Sequence, residues 1–549
     1  MSKILKNNII LILAIFAINI ISFWVYFRAD LSADKRFSIS DASKNMLKNL
    51  EDQVIIKVYL DGEDLPGGFE RLKRAVKETL VEFKYYGKDN IDYQFINPYD
   101  GTEEERNTLF KSLVEKGMQP TNIFDKQGGK KTENLVFPYA TIWYQNKEVP
   151  VLLLKANQAE DAQTKLNQSY ENVEYELASA IQKLTNTNKK KIGLLSEYTN
   201  LKPVNFAGLI SSLQEFYTLY IIESKTTPSF NGLDALIIPK PDKPVDDSTK
   251  LKIDQYIMNG GKVLFFVEGL KVDSIGLEGT YAQPLDVNLD DMLFKYGVRI
   301  NKNIVKDGLN AAIIPLVVGA TGDKPNIQPV PYRYFPLINN FGNSIITKNI
   351  DMVYTKFTAN IDAVNENDGL VKTPLLLTSP YTKVLNAPAL ITYNEARTDT
   401  DEAEYQGGVK TVAYLIEGTF KSIALNSFSN PNLKTTSIPT KILVCSDGDL
   451  IVNEVDKKTG NPYPMGYDRF SKHQYGNQDF VINAINYMVD EQGLVMAKSK
   501  SVGLRPLDTL KLKNERVKWQ LINIILPLVL LGLFGFLRFF YLKNKYTKA

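Results

Sequence analysis

Cysteine and histidine are almost missing from this chain: 549 residues contain one of each, Cys445 and His473. A single thiol excludes an intrachain disulfide, and a single imidazole excludes His-rich zinc sites. An excess of one charge is missing too. Lys plus Arg number 65 against 62 Asp plus Glu, a formal net charge of +3, so no global electrostatic reason for nucleic-acid binding exists. No phosphate-cradling loop is visible: Gly128-Gly129-Lys130-Lys131-Thr132 has Phe124 where the first glycine of a P-loop belongs, and reads as a hairpin tip. No GxSxG elbow presents a serine. Asp447-Gly448-Asp449, followed by Glu454, lacks the spacing of a calcium loop and reads as a turn after a strand. Cys445 lies in an apolar strand-like run, where a buried thiol is unreactive, and His473 lies in the polar, aromatic stretch Phe470 to Tyr475. The sequence therefore leads us to expect no catalytic residue, no metal and no cofactor.

What is present is concentrated at the ends. Ile9 to Phe27 holds only Asn19 and Ser22 as polar members. Its 19 residues would span roughly 28 Å as a helix, close to a bilayer's hydrocarbon thickness. Lys3 and Lys6 precede it, Trp24 and Tyr26 mark an interfacial belt, and no small-residue cleavage site follows, so an uncleaved anchor is expected. Leu521 to Tyr541 is a second apolar stretch containing Pro527, with Trp519 at one interface and Arg538 and Tyr541 reaching the other. The short tails carry Lys3, Lys6, Lys543, Lys545 and Lys548, which places both in the cytoplasm by the positive-inside rule. Lys511, Lys513, Arg516 and Lys518 oppose that count, but they belong to a very long loop, where charge predicts orientation poorly. The expected order is a cytoplasmic tail at 1–8, a span at 9–27, an extracytoplasmic (periplasmic) body at 28–500, a juxtamembrane linker at 501–518, a span at 519–541 and a tail at 542–549.

The body is too long for one ordinary core. Residues 28–187 read as an α+β domain. Ser40 caps a short helix, Val54 to Leu60 is a strand, and Phe69, Leu72, Val76, Leu80 and Phe83 form one helix face closed by Gly87. Residues 134–154 predict a hairpin turning at Gln145-Asn146-Lys147. Residues 188–500 read as α/β: the apolar strands Ile192 to Leu195, Ala235 to Ile238, Val263 to Val267 and Ile442 to Cys445 alternate with helices, one of which stops at Gly260-Gly261. Such strands imply a parallel sheet covered on both faces, with a strand-rich elaboration at 270–440. Ligands of open α/β sheets sit beyond the carboxyl ends of the strands. Ser196, Glu197, Glu268 and Asp447 occupy those ends and are the candidate crevice residues, although all four are also ordinary turn formers.

Four stretches, taken in order, resemble the GldG-type family, a gliding-motility-associated auxiliary component of bacterial ABC transporters. The first is Asp34-Lys35-Arg36-Phe37-Ser38-Ile39-Ser40, leading into Val54 to Leu60 and Leu65-Pro66. The others are the unit ending Ala235-Leu236-Ile237-Ile238-Pro239, the run Asp254 to Leu264, and Gly476 to Ala484 followed by Arg505-Pro506-Leu507 and the terminal span. The resemblance implies a non-catalytic subunit partnered by an ABC permease and a cytoplasmic ABC ATPase. It also implies a role in gliding motility and protein secretion in Bacteroidetes, and a doubly wound, Rossmann-like (amidotransferase-like) domain. It further implies contacts with the lipid bilayer and with a periplasmic or envelope protein or glycan, and leaves a homodimer open; no nucleic acid is implied. The alternative is a tethered periplasmic receptor for a substrate or glycan. Relatives often carry a Gly-His-Gly-Glu-like turn where this chain has Ser196-Glu197-Tyr198-Thr199, which weakens a ligand or catalytic role there.

Overall fold

The computed structural model describes residues 38–546, except 63–64, 128–129, 156–159, 273–274, 277, 322–323, 365–368, 398–400, 425–432, 491–492 and 500–508, together with Leu13 and Phe16. The expected first span, with Trp24 and Tyr26, falls outside the described residues apart from Leu13 and Phe16, which are helical and exposed. The chain forms two compact units, one ending at Ser501 and one starting at Val502.

Ser40 caps α1 (Asp41–Lys48) by accepting the Ser43 backbone N–H at 3.2 Å. After β1 (Val54–Val58) comes α2 (Gly67–Gly87), whose predicted apolar face is buried throughout. The helix does end at Gly87, but Lys88, at φ +52°, takes the left-handed position. Following β2 (Ile91–Phe95), α3 (Glu103–Glu115) opens with a capping box: Thr102 accepts the Glu105 N–H and the Glu105 carboxylate accepts the Thr102 N–H. The predicted hairpin is β3 (Tyr139–Tyr144) and β4 (Lys147–Leu152), with Gln145 at φ +54° in its turn. The long helix α4 (Ala162–Thr185) follows. The sheet order is β2-β1-β3-β4, and α2 and α4 cover one face: Val54, Ile56, Val58 and Ile142 share a core with Leu72, Val76, Leu80, Val173 and Leu177. A separate two-stranded hairpin pairs Thr121–Gln127 with Lys130–Val136.

The remaining body is organised on an eight-stranded sheet. Its sequence runs β5 (Lys191–Leu194), α5 (Ala207–Phe216), β6 (Thr218–Ile221), β7 (Ala235–Pro239), α6 (Asp247–Met258) and β8 (Val263–Phe266). Gly260 sits at φ +90° just past α6, where the 257 carbonyl accepts its N–H at 2.9 Å; a side chain there would be strained. Then come α7 (Asp290–Lys295), the antiparallel pair β9 (Ala311–Thr321) and β10 (Lys324–Ile338), β11 (Asn340–Phe341), β12 (Val371–Leu377), β13 (Thr411–Gly418), β14 (Thr440–Cys445) and α8 (Asn477–Val489). The order across the sheet is β11-β12-β13-β14-β8-β7-β5-β6. The five strands from β14 to β6 are parallel, and the other three are antiparallel additions. The segment 270–440 is thus more than an appendage, since it supplies three strands of the main sheet.

Alternating side chains fill two layers. Leu209 and Leu213 of α5 and Phe480 and Ile485 of α8 pack with Ile237, Leu264, Phe266 and Leu443. On the other face, Ile253 and Ile257 of α6 and Met292 of α7 pack with Leu236, Ile238, Phe265, Ile442 and Val444. β7 and β8 are buried along their whole length, as continuous apolar strands of a covered parallel sheet must be. Each fully buried Leu, Ile or Phe contributes about 1.5–3 kcal/mol relative to exposure.

Candidate functional site

The carboxyl ends of β7, β8 and β14 lie side by side, and each exits into a charged residue. Lys240 follows β7, Glu268 follows β8 and Asp447 follows β14. Asp449 opens a short 3-10 turn, Asp449–Ile451, just beyond. Ligand oxygens of Glu268, Asp447 and Asp449 lie within 4.8 Å of one another; Glu268 is 6% exposed, Asp447 is fully buried and Asp449 is half-buried. Glu268 and Asp447, two of the four candidate crevice residues, thus lie close together. Ser196 and Glu197 do not join them. The Glu197 carboxylate instead accepts the N–H of Ser224 at 3.0 Å, on the side of the edge strand β6, and Ser196 is half-buried beside it in sequence.

The cluster is closed by its own chain. Lys240 Nζ sits 2.5 Å from Asp449 Oδ1 and 3.4 Å from Glu268 Oε1. Glu268 Oε1 also accepts the Gly448 N–H at 2.9 Å. Asp447 uses both oxygens: Oδ2 accepts the Lys356 N–H at 2.6 Å and Oδ1 the Leu450 N–H at 3.1 Å. Lys356 belongs to the strand-rich segment, which lies over the strand ends here. The Ser446 hydroxyl donates to the carbonyl of Ala359, and the Lys356 ammonium meets Glu454 at 2.8 Å. Arg469 meets the other oxygen of Glu454 at 2.6 Å. Lys240 is held at φ +44°, and a Cβ on Gly448 would come within 2.6 Å of the Lys240 side chain, so only glycine fits beneath it.

Electrostatics follow from burial. Removal from water raises the Glu268 pKa to about 7, against the downward pull of Lys240. Burial, with the Glu268 charge beside it, also pushes Asp447 well above the carboxylate range. Burial works against the Lys240 ammonium, yet Asp449 and Glu268 outweigh it and raise the pKa. Burial acts on Asp449 as well, but Lys240 and Lys356 hold its pKa below the usual value. Three carboxylates at this spacing have the chemistry of a hard-cation site. Here the Lys240 ammonium stands where such a cation would, and backbone N–H groups occupy the Asp447 oxygens. The arrangement is that of an internal ion-pair network. Sequence reading named Asp449 only as part of a turn and missed Lys240 and Lys356; of these two, Lys240 carried a signal, standing directly after the strand-ending Pro239.

The two residues considered for nucleophilic chemistry are engaged elsewhere. Cys445 is fully buried at the end of β14, and burial pushes its thiol pKa well up, away from a thiolate. His473 Nε2 lies 2.6 Å from Asp351 Oδ2.

Residues 189–484, more than half of the chain, match a family described as "ABC-type uncharacterized transport system". The chain belongs to this auxiliary-component family. The match spans the entire eight-stranded sheet, together with the charged cluster. Residues 33–143 match a "Domain of unknown function (DUF7088)". An uncharacterized protein of Borreliella burgdorferi is 23% identical over 416 residues, covering 73% of this chain and 75% of that relative. A solved structure, the mmIFT52 N-terminal domain, is 12% identical with a TM-score of 0.31 over 55% of this chain and 98% of that one, a likeness too low to carry an argument.

This auxiliary-component chain also has the means to reach a membrane. The second unit is α9 (Thr509–Tyr546), and its segment Glu515–Tyr546 is long and apolar enough to cross a bilayer, with none of its most apolar window buried in the protein. Trp519, Arg538 and Tyr541 are all exposed on it. Trp519 and Tyr541 are separated by roughly 33 Å along the axis, near the hydrocarbon thickness of a bilayer. Pro527 lies inside the helix, as expected from the sequence.

Proposed function

We propose that this protein is a non-catalytic, membrane-anchored auxiliary subunit of an ABC-type transport system, with its body on the extracytoplasmic (periplasmic) face and both tails in the cytoplasm. The observation that carries the reading is the coincidence of the family match over 189–484 with an apolar helix that buries nothing within its own protein. A helix of that kind is matched by lipid or by the helices of a permease. A further observation supports two anchors. Leu494, shortly before α9, packs in the same core as Ile39 and Leu47, shortly after the expected first span, so the body's two chain ends are neighbours. Trp519, Arg538 and Tyr541 then serve as interface anchors, with Trp24 and Tyr26 doing the same on the first span. ATP chemistry belongs to a partner ATPase and passage to a permease.

The saturated charge cluster supports a structural role for Glu268 and Asp447. They tie the strand ends to the segment around Lys356, and both oxygens of Asp447 are bonded within the chain, which weakens the receptor alternative. The narrower GldG-type role in gliding motility and secretion rests on the order of the four sequence stretches.

The test is affinity purification of the full chain from native membranes in mild detergent, beside a variant ending at Ser499. The full chain is expected to bring down a permease and an ABC ATPase, and the truncated chain to lose both. Recovery of the full chain with neither subunit overturns the reading.

A further inference from the structure

A second polar centre lies away from the strand-end cluster, in the strand-rich segment. It is a pocket of about 60 Å³ between β10 and the 3-10 turns at Tyr393–Arg397 and Glu402–Glu404. Tyr332, Arg333 and Tyr334 of β10 line it, with Lys306, Glu395 and Tyr405 opposite. Its walls are aromatic: the Tyr332 ring lies 5.2 Å from Tyr334 and 5.3 Å from Tyr393.

Most of the polar groups are spent on one another. The buried Lys306 ammonium pairs with Glu395 and lies 5.0 Å over the Tyr334 ring. The Tyr334 hydroxyl donates to the other oxygen of Glu395 at 2.7 Å. Glu404 is bound by Lys383 at 2.6 Å, and Asp401 accepts the Ala403 N–H at 3.0 Å. Two groups are left over. The Tyr332 hydroxyl, in a side chain 1% exposed, has no hydrogen-bond partner, and neither does the buried Nε of Arg333. Among the described residues the Arg333 guanidinium makes no ion pair, and it lies 5.9 Å over the face of Tyr405.

Buried polar groups are nearly always bonded, and leaving one unmade is costly, more so for a charged group. Both orphans can donate. A guanidinium has no acceptor, and burial raises the Tyr332 pKa so that the phenol keeps its proton. A ligand with acceptor oxygens satisfies both, and a negatively charged one bonds the cationic donor more strongly. The nearby carboxylates are turned to other donors: Glu395 to Lys306 and Tyr334, Asp401 to the Ala403 N–H, and Glu404 to Lys383. A volume of about 60 Å³ has room for an oxyanion group.

We propose that this pocket binds the oxyanion group of a ligand, a carboxylate or a phosphate, through Arg333 and Tyr332. The site stands on its own geometry and does not depend on the association with a transporter. A carboxylate would arrive on an acidic side chain, a chain terminus or an organic acid; a phosphate would arrive free or as an ester.

Isothermal titration of the full-length protein in detergent tests this, with sodium acetate and inorganic phosphate as probes and sodium chloride at matched ionic strength as control. The wild type is expected to show saturable binding of one probe, which identifies the class. Arg333→Gln should weaken it about tenfold or more, because the charged donor is lost. Tyr332→Phe, which keeps the ring and its stacking, should weaken it by a smaller factor. If Arg333→Gln does not fold, the near-isosteric Tyr332→Phe variant still decides. Absence of saturable binding of both probes to the wild type overturns the proposal, as does an affinity unchanged in the folded variants.

Discussion

Lys240 joins two acidic side chains at the strand ends of the main sheet. It is the cation shared by Asp449 and Glu268 at the ends of the two central strands. Lys240→Met would leave buried carboxylates without their counter-charge, and breaking a buried pair from one side costs about 3–5 kcal/mol. Denaturant unfolding of the full chain in detergent should show a loss of that size; a loss under about 1 kcal/mol, the worth of an exposed pair, would contradict a buried network. The proton held by the cluster gives a second prediction. Burial holds the Glu268 pKa at about 7 in the folded protein, above the ordinary 4.5 of an exposed glutamate, so the folded state binds its proton more tightly. Its contribution to stability is complete below about pH 4.5 and is lost as pH rises through about 7. Asp447 is shifted in the same direction, while Asp449 is shifted downward and titrates below this window. Melting temperature should therefore fall between those pH values more steeply in the wild type than in Glu268→Gln, and equal slopes would remove Glu268 as the source. At this scale the sequence revealed only part of the site. Glu268 and Asp447 were legible because both end apolar strands. Lys356 was not, because it reaches Asp447 from a strand-rich segment 91 residues away, and no local pattern encodes that approach.

Among the elements, α2 and α3 show the contrast between strong and weak local signals. The face of α2 was readable because five large apolar residues recur at helical spacing, and all five are buried. α3 buries only Leu113, so it has almost no apolar period, and it was not recognised in the sequence. Its signal was the capping box at Thr102 and Glu105. Thr102→Ala should lower stability by about 1 kcal/mol, the usual worth of such a cap, and amide exchange should quicken in α3 first. Uniform quickening across the N-terminal sheet would instead show that α3 does not open by itself. The antiparallel strands β11, β12 and β13 were seen only as strand-rich sequence. Their membership in the main sheet depends on long-range pairing, such as Ala413 with Cys445, that periodicity does not specify. β7, β8 and β14 were clear from the outset, because strands buried on both faces read as unbroken apolar runs.

For the whole molecule, the lone thiol is sealed in the sheet and the lone imidazole lies against Asp351. The orientation proposed for the body makes a direct prediction. Protease added to spheroplasts should digest the region between the two spans, whereas inverted vesicles should protect it; the reverse pattern would place the body in the cytoplasm. The central claim is that this body and its membrane helix are parts of an ABC assembly. A single-particle reconstruction of particles purified through this chain from native membranes tests it most directly. The account predicts α9 lying against permease helices, with an ABC ATPase on the side of the C-terminal tail. A body standing alone in its micelle, with no other subunit beside α9, would contradict it.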